Sequence, residues 1–140
     1  MSNRKIYIHF VDGTDAYIPV DTEIISENAY KLLPNDEFDY EDDTILFEYG
    51  AGDIVTAEMH KFESGDTNLK ASKLIVSGSE QNDYKRMLFY ILRNEPNPSN
   101  LSNLFNKSII LRLLQDRDLK YPTLVHWFNK HRLAIQSLVK

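Results

Sequence analysis

Six carboxylates fall within eight residues, at Asp36, Glu37, Asp39, Glu41, Asp42 and Asp43, with Phe38 and Tyr40 between them. Two kinds of chemistry use oxygen at this density. Calcium is held by carboxylates on a sharply turning loop with a glycine near its middle. Here Thr44-Ile45-Leu46 follows instead, with no glycine, and reads as the start of a strand. No metal and no cofactor is therefore expected. The other chemistry is recognition of a basic protein, in which carboxylates steer the encounter and Phe38 and Tyr40 supply apolar anchors. A solvated loop that aids solubility is the plainer alternative.

A second constellation has the opposite charge. Arg86, Phe89, Tyr90 and Arg93 have the i, i+3, i+4, i+7 spacing of one helix face. Guanidinium groups among rings can neutralise phosphates and stack on bases. With more distant cations they make a candidate nucleic-acid-binding set: Arg86, Tyr90, Arg93, Arg112, Lys130 and Arg132. The simpler alternative packs Phe89 and Tyr90 against the sheet and turns the arginines toward the acidic loop.

Other chemistries have less support. His126 and His131 are five residues apart, about 140° around a helix, and so do not share a face as a metal-binding pair would. His9 and His60 lie in expected strands without a carboxylate at ligand spacing. There is no cysteine, which removes disulfides and thiolate chemistry. No glycine-flanked nucleophilic serine, phosphate-cradling loop or dinucleotide fingerprint is present. The expectation is a protein without enzymatic activity.

The elements that must position these groups differ between the two halves of the chain. Residues 1–70 hold 16 Asp+Glu and 5 Lys+Arg, a formal charge of −11; residues 71–140 hold 5 and 11, a charge of +6. The 140 residues carry a net charge of −5 and are 42% hydrophobic, a composition that folds. The length suits one domain 1–140, or an acidic β-rich unit 1–78 and a basic helical unit 79–140.

In the front half, residues 5–11 alternate with period two: Ile6, Ile8 and Phe10 share one face, and Tyr7, His9 and Val11 the other. Asp12-Gly13 suits a hairpin turn, 16–20 the returning strand, and Pro19 a position whose N–H no ladder needs. Residues 21–33 fit a helix face or a second hairpin, and the hairpin better continues the pattern. Strands are expected at 44–49, 54–59 and 69–76. Gly52-Asp53-Ile54-Val55 resembles a turn-to-strand transition common in SH3-like barrels.

In the back half, Ser77 with Glu80 suits a capping box. Tyr84, Met87, Leu88, Ile91 and Leu92 then make an apolar helix stripe that ends at the prolines Pro96 and Pro98. One long helix from Ser99 or Asn100 through Leu114 is apolar nearly all round and is expected to be the buried centre. A third helix starts near Pro122 and carries Leu124, Val125, Trp127, Phe128, Leu133, Ile135, Leu138 and Val139 toward the core. The fold class is α+β: a small antiparallel β-sheet or SH3-like barrel, then about three helices.

The sequence therefore points to a non-enzymatic acidic protein-interaction module. One concrete form is an inhibitor or immunity-type protein that occludes the cationic site of a basic partner such as a nuclease. The alternative is a regulatory nucleic-acid-binding protein using the basic half. In a further arrangement the two charge blocks satisfy each other, within one molecule or across a homodimer. The first residues lack the apolar stretch of a secretory signal, and the most apolar run, 109–114, is too short to span a bilayer. The expected location is the cytoplasm, without membrane contact.

Overall fold

A computed structural model describes residues 3–11, 15–34, 45–116, 119 and 121–140. Strands come first: β1 (Asn3–Val11), β2 (Asp15–Ser26), β3 (Ala29–Leu32), β4 (Leu46–Phe47), β5 (Ile54–Lys61) and β6 (Thr67–Val76). Helices follow: α1 (Glu80–Asn94), α2 (Ser99–Leu104), α3 (Lys107–Gln115) and α4 (Pro122–Leu138). This is the α+β order.

In the series β1-β2-β3-β5-β6 each strand runs antiparallel to the one before. Five alternating strands leave the first and last pointing the same way, so a ring can close only through a parallel pair. It does so at Tyr7↔Lys70, between β1 and β6. The sheet is thus a small barrel, with β4 extending the end of β1 through Phe10↔Phe47 and Val11↔Leu46.

Residues 21–33 form the second hairpin. β2 runs unbroken from the first hairpin into it, and the turn places Asn28 at a φ of 53°, a left-handed conformation asparagine tolerates. Pro19 pairs with Tyr7 in the part of β2 that β3 does not reach, so its missing N–H leaves no gap in that second ladder. Of the strand expected at 44–49, the described residues keep only Leu46–Phe47, because Glu48 and Tyr49 bend toward the turn before β5; Thr44 lies outside the described residues. Asp12-Gly13 lies outside the described residues.

The helices depart further from expectation. The cap of α1 is Ser79, whose Oγ accepts from the Asn82 N–H at 3.1 Å, and not Ser77. The long helix 99–114 is two helices. Phe105 is extended, and the Asn106 side chain starts α3 by accepting from the Ile109 N–H at 3.1 Å. The all-round apolar pattern belonged to two short helices facing different ways, which leaves Leu104 58% and Leu111 42% exposed. On α4, Leu124, Trp127, Phe128 and Ile135 are buried, but Leu133 is 80% exposed and does not join the core.

Two packed clusters result, and β1 feeds both. Its even face puts Ile6 and Ile8 inside the barrel with Val20, Leu32, Val55 and Ala71. Its odd face sends Val11, beside Leu46, into the helical cluster of Met87, Ile91, Ile110, Leu113 and Trp127. The Tyr121 hydroxyl donates to the Val11 carbonyl at 2.8 Å, tying the start of α4 to this strand end.

Candidate functional site: a ring-lined groove between the barrel and the first helix

The odd face of β1 carries more than Val11. Tyr7 and His9 stand on it, and antiparallel pairing sets Tyr17 of β2 directly opposite His9. Their rings stack 4.8 Å apart at 18°. Phe62, one residue past β5, meets Tyr7 at 4.8 Å and Tyr17 edge-on at 5.1 Å. Phe89 of α1 closes the other side, edge-on to His9 at 5.1 Å. Cross-strand ring pairs of this kind hold one another in place.

Two hollows of about 530 Å³ each adjoin here and share His9, Tyr17 and Arg93 in their walls. The first continues past His60, Phe62 and Asn68. The second continues past Glu48, Lys70, Tyr90 and Phe105. Lys70 reaches this groove because the β1–β6 closure sets it beside Tyr7, and its Nζ lies 5.5 Å from the Tyr17 ring centre. Cations over ring faces are attracted by the ring quadrupole.

Glu48 is the half-buried acid of the second hollow. Its N–H donates to the His9 carbonyl at 3.0 Å, so its backbone is pinned to the strand that carries the stacked ring. Burial raises its carboxyl above the ordinary range, against the lowering pull of Lys70 and Arg93. Tyr49 is pushed up to about 12, chiefly by burial and then by the neighbouring Glu48.

Beneath the groove a buried network fixes α1 to the barrel. Asp53 is fully buried. It accepts from the Gly50 N–H at 2.9 Å, the Gly78 N–H at 2.7 Å and the Asn82 side-chain amide at 2.9 Å. Arg86 lies 3.7 Å from the same carboxylate and also pairs with Asp83. Chain segments from the β4–β5 turn, the end of β6 and the first turn of α1 therefore meet at one side chain.

The structure divides the basic candidates. Arg86, Tyr90 and Arg93 line one hollow, although Arg86 is committed to Asp53 and Asp83. Phe89 is buried and meets His9 of the sheet edge-on, whereas Tyr90 is half-buried and lies 6.3 Å from the Phe105 ring of the helical half. Arg112 lies elsewhere, over the Tyr84 ring and bonded to Gln81 Oε1 at 2.7 Å. Arg132 covers Phe128 beside α4, and Lys130 is exposed on the same helix. The acidic candidates, residues 36–43, lie outside the described residues.

Sequence reading missed His9, Tyr17, Glu48, Phe62 and Lys70 as a set. The available signal was the odd face of β1, where Tyr7 and His9 replace the aliphatic residues of the even face. Among the described residues no group of three or more His, Asp or Glu could hold a metal ion. No helix among them is long and apolar enough to cross a membrane. Compared with family profiles, curated proteins and solved structures, the chain matches none.

Proposed function

We propose that the protein is a non-enzymatic binding module that holds a short stretch of single-stranded nucleic acid in this groove. The observation that carries the reading is Tyr17, half-buried in the wall common to both hollows and braced by the buried His9 ring, with Lys70 near its ring and Arg93 on the same wall. A base stacked on a ring contributes about 1–3 kcal/mol whatever its identity. The hollows have the size of ordinary small-ligand sites, about 300–1,000 Å³. The net charge of −5 opposes a phosphate backbone, so the affinity rests on stacking more than on charge. If Lys70 and Arg93 each neutralise one phosphate, the logarithmic salt slope is shallow, about −1.4.

Fluorescence anisotropy of a labelled oligouridylate tests this. Tyr17→Ala should weaken binding about tenfold. Lys70→Gln should weaken it less and reduce the salt slope by about 0.7. Absence of binding at low salt and at the highest attainable protein concentration refutes the reading.

A second reading is supported by the charge of the front half: the run 36–43 covers a basic protein, in the manner of an inhibitor or immunity-type protein in the cytoplasm. It requires that amide replacement of Asp39, Glu41, Asp42 and Asp43 slow association with that partner and flatten its salt dependence. Light scattering that found a dimer broken by salt would instead favour pairing of the acidic and basic blocks between two copies.

A further inference from the structure

We propose that the free edge of β6, residues 72–76, docks an extended segment of a partner protein, which joins the sheet as one more strand and sets an acidic residue opposite Lys73. The edge arises from the way β1 is shared. β2 takes one flank of β1 along its whole length, from Asn3↔Glu23 to Val11↔Asp15. The other flank meets β6 only at Tyr7↔Lys70. From His9 onward that flank is taken by the Glu48 N–H, which donates to the His9 carbonyl, and then by β4. β6 runs on to Val76 with β5 along one side of it, from Lys61↔Thr67 to Ile54↔Val76. On its other side, residues 72–76 make no backbone hydrogen bond among the described residues. A row of unpaired N–H and C=O groups is a template for another strand.

Proteins commonly cover such an edge with a helix. Here α1 packs on β4 rather than along β6, and the second hollow lies between helix and strand, with Lys70 and Leu74 of β6 and Phe89 and Tyr90 of α1 in its walls. Beyond it, Ile75 and Val76 are 49% and 52% exposed, so the strand ends in aliphatic surface open to solvent. Charge selects the occupant. Lys70 stands opposite Glu58 in the β5 ladder and shares the hollow with Glu48. Lys73 is exposed, stands opposite Thr56, and makes no ion pair among the described residues. Opposite charges directly across two strands attract and like charges repel. The β6 edge of a second copy cannot answer Lys73, because Thr67–Val76 contains no Asp or Glu and edge-to-edge pairing would only gather lysines. The occupant that fits is a foreign segment of β-branched residues bearing one acid. This inference needs no base in the groove and stands apart from the nucleic-acid reading.

The test uses the full chain and a fluorescein-labelled peptide of alternating valine and threonine with one central glutamate, followed by anisotropy. A strand uses only one of its two edges to join a sheet, so N-methylation of alternate peptide amides separates this mode from simple adhesion. Methylation on one set of alternate amides should weaken binding about tenfold or more, and on the other set by less than about twofold. Hydrogen exchange read by mass spectrometry should show new protection at residues 72–76 when the peptide is present. Lys73→Glu should weaken binding about fivefold, and lysine in place of the peptide's glutamate should restore it. No binding at about 1 mM peptide overturns the inference. So does equal sensitivity to methylation of either set, or protection that falls elsewhere. Protection of 72–76 that grows with protein concentration in the absence of peptide, with a dimer in light scattering, assigns the edge to a second copy and overturns the foreign partner. The methylated peptides act on the unsubstituted protein, so they decide the matter even if Lys73→Glu is unstable.

Discussion

Replacing Asp53 by alanine should cost about 3–5 kcal/mol of folding free energy, the range for removing one partner of a buried charge pair. The structure shows where the cost arises. The carboxylate is fully buried and accepts three hydrogen bonds, from the Gly50 N–H, the Gly78 N–H and the Asn82 amide. Bonds to a charged group contribute about 1.5–3 kcal/mol each. Their simple sum would exceed the total because alanine also removes the cost of burying the charge. Asn82 keeps one partner, the Ala51 carbonyl at 2.8 Å, but the two backbone donors lose theirs. Arg86 Nη1 is buried without a hydrogen-bond partner among the described residues, and the carboxylate 3.7 Å away is its compensation.

Urea unfolding followed by the fluorescence of Trp127, the single tryptophan and a buried one, measures the difference. At about 4 °C per kcal/mol for a chain of this size, the thermal midpoint should fall by roughly 12–20 °C. Asp53→Asn, which keeps one acceptor, should fall between the two. A loss below about 1 kcal/mol for alanine, with an unchanged denaturant slope, would refute the claim that this network fixes α1 to the barrel.

Three other outcomes are expected. Because burial raises the Glu48 carboxyl, the folded state keeps that proton over a pH interval in which the unfolded chain has lost it. Stability therefore falls as pH rises through the interval and levels above it; Glu48→Gln should flatten this slope and be the more stable protein on the alkaline side, and urea midpoints across pH that stay parallel would contradict this. Gly78→Ala should destabilise by about 1–3 kcal/mol, since its Cβ would stand 2.5 Å from the Gly52 carbonyl carbon, and a neutral effect in thermal melts would show that this backbone contact yields. Asn106→Ala should cost about 1 kcal/mol by removing the cap of α3, read as a shift in urea midpoint, whereas the same change at exposed Asn103 should cost little.

The small barrel was legible in its parts. Alternation over 5–11, the two hairpins and the glycine-bearing turn before β5 follow from local rules of period and turn chemistry. Closure was not legible, because it depends on counting strands that meet only in space. Residues 44–49 illustrate the limit: their composition suits a six-residue strand, yet among the described ones only Leu46 and Phe47 enter the ladder with β1. The break at Asn106 is hidden in the sequence for the opposite reason. Leu101, Leu104, Ile109 and Leu113 fit one long apolar helix, and a capping asparagine is easily outvoted by hydrophobic residues when no partner surface is known.

Arg86 and the groove show where sequence reading ends. The i, i+3, i+4, i+7 spacing put Arg86, Tyr90 and Arg93 on one face of α1, and they do line one hollow. Whether a guanidinium is available to a ligand depends on what lies opposite it, and Asp53, 33 positions earlier, occupies Arg86. His9, Tyr17, Glu48 and Lys70 come from four separate segments and become neighbours only through antiparallel pairing, a parallel closure and one backbone hydrogen bond. By itself the sequence determined the order of strands before helices, the two faces of β1 and the apolar stripe of α1, because period and turn chemistry act between residues a few positions apart. Tertiary structure alone decided the barrel's closure, the commitment of Arg86 and the ring-lined groove, because burial and charge depend on distances in space that chain separation does not encode.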